Sequence, residues 1–156
     1  SPFALIQEIR EWFSGPLLLS GSIANGGAVL AAQAMGADLA YIGSAFIATD
    51  EANADQRYKE MITESSADDI VYTNLFTGVH GNYLKGSIVA QGLDPDNLEV
   101  SDSSKMNFSS GASKPKSWKE IWGSGQGISA VKSIMPAGEL VKRINNEYIE
   151  AKNKLM

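Results

Sequence analysis

Residues 16–48, PLLLSGSIANGGAVLAAQAMGADLAYIGSAFIA, decide how the chain reads. Leu17, Leu18 and Leu19 form a short apolar run between Pro16 and Gly21, the pattern of a strand buried on both faces of a parallel sheet. Gly21, Ser22, Asn25, Gly26 and Gly27 then crowd a turn before a helical run over 28–35, which Gly36 closes as a C-terminal cap. A second apolar run over 39–42 ends in Gly43 and Ser44. Two successive strand ends thus present small residues and free backbone N–H groups on one edge of a sheet. That is a two-pronged cradle for an anion, built from amide donors and a helix dipole rather than charged side chains. The same spacing also serves an ordinary strand–helix–strand turn with no ligand.

Outward from this stretch, residues 3–13 place apolar side chains at 3, 5, 6, 9, 12 and 13, a helical stripe that takes Trp12 into the core. The alternation of helix and strand is that of a parallel α/β sheet. A short helical turn is expected over 45–49. A further helix over 53–64 follows, capped by Thr49 or Asp50, with Ala54, Tyr58, Met61 and Ile62 packed and Asp55, Arg57, Lys59 and Glu60 solvated. Residues 65–69 read as a turn and 70–73 as a strand. From 68 to 116 the pattern becomes one strand, an amphipathic piece near 83–91 and a polar loop, a long excursion of the functional kind. Residues 117–156 return, with Trp118, Ile121 and Trp122 at helical spacing. The last helix, over 139–154, buries Leu140, Val141, Ile144, Tyr148 and Ile149 and ends in Lys152 and Lys154.

Composition sets further bounds. The 156 residues are 44% hydrophobic, enough for one core. Thirteen basic and eighteen acidic residues give a net charge of −5, with no basic cluster, so nucleic acid is not an expected partner. No apolar run has the length of a membrane helix. The absence of cysteine removes disulfides, thiolate metal sites and a cysteine nucleophile, and fits a cytoplasmic setting. His80 is the single histidine, in a loop over 77–82 that is placed to face substrate, but no carboxylate, serine or second histidine stands at a catalytic spacing from it.

The segments 21–26, 34–38 and 43–52, followed by 74–84 (NLFTGVHGNYL) and by the glycine–glutamine–glycine turn of 122–127 (WGSGQG), together resemble the nitronate monooxygenase family, formerly called 2-nitropropane dioxygenases. The resemblance covers nearly the whole chain, in order. It implies an α/β fold, the C-terminal part of a flavin-binding (βα)8 TIM barrel, with barrel units over 1–67, a small inserted lid domain over 68–116 and a return to the barrel over 117–156. It implies flavin mononucleotide (FMN) as cofactor, held around Gly21, Ser22, Tyr41, Ile42, Gly43 and Ser44, with Gln126 as a further polar contact. An alkyl nitronate and dioxygen would be the substrates.

Family members are about twice as long, and the family's catalytic histidine lies in the half with no counterpart here. The chain therefore reads as a fragment, inactive alone, that self-associates or pairs with the N-terminal half. The catalytic base is expected in that other half, not at His80. Flavin-dependent enoyl-acyl carrier protein reductases share the first motif and stand as the alternative, as does a non-catalytic phosphate-binding half barrel. Two departures from the family pattern concern the cradle. Ser22 stands where the second glycine of Gly-Gly-Ile is usual, and Ala45 stands where an arginine is common.

Overall fold

The computed structural model describes residues 1–101 and 120–156. Helix α1 (Pro2–Arg10) leads into β1 (Leu18–Ser20), α2 (Gly26–Met35) and β2 (Leu39–Tyr41). β1 and β2 pair in parallel, with Leu18 opposite Leu39 and Ser20 opposite Tyr41. Asn25 caps α2 by accepting the Ala28 N–H, and Gly36 closes it at φ 108°, the left-handed conformation open to glycine. Arg10 fastens this unit. Its guanidinium donates to the carbonyls of Gly36, Phe13 and Gly15 and meets Asp38 Oδ2 at 2.6 Å.

The strands alternate in exposure, contrary to the expectation of burial on both faces. Leu19 and Ala40 pack with Ile6, Ile23, Ala32 and Ala37 under the helices, whereas Leu18, Leu39 and Tyr41 are 50%, 55% and 62% exposed on the opposite face. The pleat explains the pattern, because successive side chains point to opposite faces and the helices cover only one. The described residues form no closed barrel: one sheet has the order β1-β2, the other β3-β4. Trp12 is also corrected. It is 77% exposed, because α1 ends at Arg10 and the chain beyond it turns out of the helical stripe, leaving Ile6 as the buried residue of α1.

After β2 come the single turn α3 (Ser44–Ile47) and α4 (Gln56–Glu64), which starts later than expected because Asp55 caps it through the Arg57 N–H. Lys59 does not belong to a solvated face. It is only 6% exposed, and its ammonium donates to the carbonyls of Thr49 and Asp50 at 2.7 and 3.3 Å.

A 3₁₀ turn (Ala67–Asp69) leads to β3 (Ile70–Thr73), which pairs antiparallel with β4 (Gly81–Leu84), and α5 (Lys85–Ala90) follows. The single strand expected in this region is thus a hairpin. Trp122, Gly123 and Ser124 lie along β4, where Leu84 N–H donates to Trp122 O, Ser124 N–H to Asn82 O, and Tyr83 faces Gly123. Ile121 and Trp122 are buried here without helical pairing, and Trp118 lies outside the described residues, as does much of the polar loop.

A second 3₁₀ turn (Gln126–Ala130) precedes α6 (Ala137–Leu155). The larger core joins Ile62, Leu84, Ile128 and Leu140, all at most 2% exposed, with Trp122, Val131, Ala24, Ala45 of α3 and Ala48 just after it. Within α6, Leu140 is buried in this core but Val141 and Ile149 are exposed, because the helix meets α2 through Ile144, Glu147 and Tyr148. No helix among the described residues is long and apolar enough to cross a membrane.

Candidate functional site

The ends of β1 and β2 and the turn before the second 3₁₀ segment meet around one pocket of about 180 Å³, lined by Ser20, Gly21, Ser22, Ile23, Ala24, Tyr41, Gly43, Ser44, Gly125 and Gly127. A pocket enclosing a whole drug-sized ligand usually measures roughly 300–1,000 Å³. This one fits a compact group at the end of a larger molecule.

Its walls are small and uncharged. Gly21 takes φ 97°, and a Cβ built on Gly21 or on Gly43 meets nothing within 4 Å, so the space those side chains would fill is open to a ligand. Ser22 takes φ 58°, the one positive φ at a non-glycine residue among those described. A β-turn conformation of this kind lets successive N–H groups converge on an anion. Gly127 packs directly beneath Ser22: a Cβ there would lie 2.7 Å from the Ser22 carbonyl group. Ser44 Oγ accepts the Gly125 N–H at 2.8 Å, which draws the late glycine turn against the cradle.

That turn is itself held from the α4 side. The Tyr58 hydroxyl donates to Gly123 O, and burial pushes its pKa up to about 12. The Tyr58 ring stacks on Trp122 with centroids 5.0 Å apart, while the Arg57 guanidinium lies 5.8 Å from the Trp122 ring centre.

The expected site residues separate into four places. Gly21, Ser22, Tyr41, Gly43 and Ser44 come together in the pocket. Ile42 does not line it, but faces a separate apolar cleft with Ala40, Phe46, Val141 and Ile144. Gln126 is exposed, and only its neighbours Gly125 and Gly127 reach the cradle. His80 lies apart, on the exposed side of the hairpin, where its ring stacks on Tyr72 at 4.9 Å. Elsewhere on the hairpin, Phe76 and Tyr83 meet edge to face.

One expectation about the anion site changes. The first N–H groups of α2 are not all open to a ligand: Gly26 N–H goes to Glu147 Oε2 at 2.9 Å and Ala28 N–H to Asn25 Oδ1 at 2.8 Å. The turn ahead of the helix and the start of α3, rather than the α2 terminus, supply the lining. The sequence reading does not identify Asn25 as a cap, although an asparagine just before an apolar helical run is the signal for one. Glu147 carried no local signal, since its contact spans 121 residues. Among the described residues no cluster of histidine and carboxylate side chains is suited to a metal ion.

The family model for nitronate monooxygenase matches residues 1–147. A probable nitronate monooxygenase of Staphylococcus saprophyticus is 26% identical over 97% of this chain and 44% of its own length. A nitronate monooxygenase of Paraburkholderia phytofirmans is 28% identical over 98% of this chain and 43% of its own. The chain therefore spans less than half the length of these relatives.

Among solved structures, nitroalkane oxidase from Streptomyces ansochromogenes superposes with a TM-score of 0.74 at 26% identity, over 100% of this chain and 46% of that one. FabK from Thermotoga maritima superposes at 0.72 with 21% identity, over 99% and 51%, a likeness of fold alone. With a family match that runs from the first residue through the cradle, the hairpin and most of α6, the chain belongs to the nitronate monooxygenase family.

Proposed function

We propose that the cradle holds the phosphate of FMN, and that the chain supplies the phosphate side of a flavin oxidoreductase acting on alkyl nitronates with dioxygen. The observation that carries this reading is the small, uncharged pocket in which Gly21, Ser22, Gly43 and Ser44 converge, with the Cβ positions of Gly21 and Gly43 open. Its size suits one phosphate, and its donors are of the kind that bind phosphate without a neutralising cation. The names of the family and of both relatives favour nitronate oxidation over the reductase alternative.

Bound flavin would supply the redox chemistry, while the protein binds and orients it. This chain's part is positional. The backbone of 21–24 and 43–44 anchors the phosphate, Gly125 and Gly127 close the cradle from the other side, and the exposed face of Leu18, Leu39 and Tyr41 is left for further barrel strands to cover. The catalytic base belongs to those further elements. Isolated, the 156-residue chain is inactive and associates with itself or with the complementary half of a barrel.

Titration of FMN with the purified chain, followed by flavin fluorescence, tests the reading, with riboflavin as the phosphate-free control. FMN should bind more tightly than riboflavin, and Ser44→Glu should remove the difference by placing a carboxylate at the cradle. Equal affinity for the two flavins in the unmodified chain refutes the assignment. Turnover of a nitronate by the isolated chain refutes its incompleteness.

A further inference from the structure

The wall of the cradle is fixed by a pair of side chains that do not line it. On α6, Glu147 Oε2 accepts the Gly26 N–H at 2.9 Å, immediately after the turn that carries Ile23 and Ala24 into the pocket. One turn earlier on the same helix, Arg143 Nη2 donates to Ala24 O at 3.0 Å and Nη1 reaches Ala130 O at 3.5 Å. Ala130 ends the 3₁₀ segment that begins beside Gly125 and Gly127, the opposite wall of the pocket. Arg143 Nε lies 3.4 Å from Glu147 Oε1, an ion pair without hydrogen-bond geometry. One guanidinium thus spans carbonyls on both walls, and the carboxylate beside it caps the helix that leaves the first wall.

The backbone contact beneath them is as close as glycine allows, since a Cβ on Gly26 would lie 2.1 Å from Tyr148 N and 2.2 Å from Ile144 O. With α6 seated this tightly on α2, any shift at Arg143 or Glu147 is passed to the turn.

We propose that Arg143 and Glu147 are positioning residues that set the width of the anion cradle from outside it. The proposal rests on the reading of that cradle as a phosphate site. It follows that their loss weakens ligands that carry the phosphate and spares the same ligand without it, because the two side chains act on the walls of the pocket and do not themselves line it.

The test compares FMN and riboflavin affinities of the 156-residue chain and of Glu147→Ala, Glu147→Gln and Arg143→Lys, together with hydrogen exchange of the amides of 23–27 in the absence of flavin. Glu147→Gln keeps an acceptor for Gly26 N–H and should bind FMN as the unmodified chain does. Glu147→Ala should exchange faster over 23–27 and bind FMN roughly fivefold more weakly, the scale of one lost helix cap, with riboflavin unchanged. Arg143→Lys keeps the charge without the fork that spans two carbonyls and should likewise lose FMN selectively.

A preference for FMN that survives Glu147→Ala and Arg143→Lys overturns the proposal alone. Parallel loss of both flavins shows a merely structural role and overturns it as well. Equal binding of the two flavins by the unmodified chain overturns the phosphate reading and the proposal with it.

Discussion

Ser44 Oγ accepts the N–H of Gly125 at 2.8 Å, a bond across 81 residues that ties the turn after β2 to the turn after the hairpin. Removing the hydroxyl in Ser44→Ala leaves the Gly125 N–H without its acceptor. The expected cost is about 1 kcal/mol, the usual net value of one hydrogen bond in a partly buried place. Urea unfolding measures it, and an unchanged midpoint would show that water replaces Ser44 at no cost.

Three glycines near the cradle should respond to alanine in opposite ways. Gly26→Ala sets a methyl against α6 backbone, and Gly127→Ala sets one against the Ser22 carbonyl group, so both should lose about 1–3 kcal/mol or more through overpacking. Gly43→Ala meets open space at φ −108°, and should keep its stability within about 0.5 kcal/mol while losing affinity for FMN. Thermal unfolding and flavin titration on the three variants separate packing from binding.

Ser22 sits at φ 58°, where an L side chain is strained by about 1–2 kcal/mol. Ser22→Gly relieves that strain, but gives back about 0.5–1 kcal/mol through the greater freedom of the unfolded chain, so a small gain is expected. Ser22→Val puts a β-branched residue in the same conformation and should lose more than about 1 kcal/mol. Equal midpoints for the two variants would mean that the turn rearranges.

Asp38 links acid stability to the junction of α1 with the sheet. The Leu17 N–H and then the Arg10 guanidinium hold its carboxyl below the ordinary value of 3.8. A carboxylate with a lowered folded pKa stabilises fully above its unfolded value, and that contribution is lost as pH falls through the folded value. Stability should therefore drop below pH 3.8 more steeply in the unmodified chain than in Asp38→Asn, and the two curves should converge in acid. Denaturant midpoints measured across that range decide it.

The exposed face of Leu18, Leu39 and Tyr41, on strands that each have one unpaired edge among the described residues, should drive association. Leu18→Lys with Leu39→Glu should shift the sedimentation of the chain toward the monomer, with little loss of stability because both side chains are exposed. A compact monomer before any substitution would contradict the expectation.

What the sequence made legible is local. The cap at Gly36, the glycine turns after each strand and the parallel alternation all depend on residues within a few positions of one another, where backbone sterics dominate. The misplacements share the opposite cause. Trp12 and Val141 lie on apolar stripes that their neighbours do not cover, and Lys59 sits on a face that reads as polar until the carbonyls of Thr49 and Asp50 are folded over it. Of the cradle, the residues themselves stood in the sequence. The claim of Glu147 on the start of α2 did not, because no spacing rule reaches across the intervening residues.

That contact also sets an order of events during synthesis. The ribosome releases Gly26 long before Glu147, 121 residues later. At about 5–20 residues per second the interval is on the order of ten seconds. Throughout it the turn after β1 is present without Glu147, so the first N–H of α2 gains its acceptor only once α6 has been made.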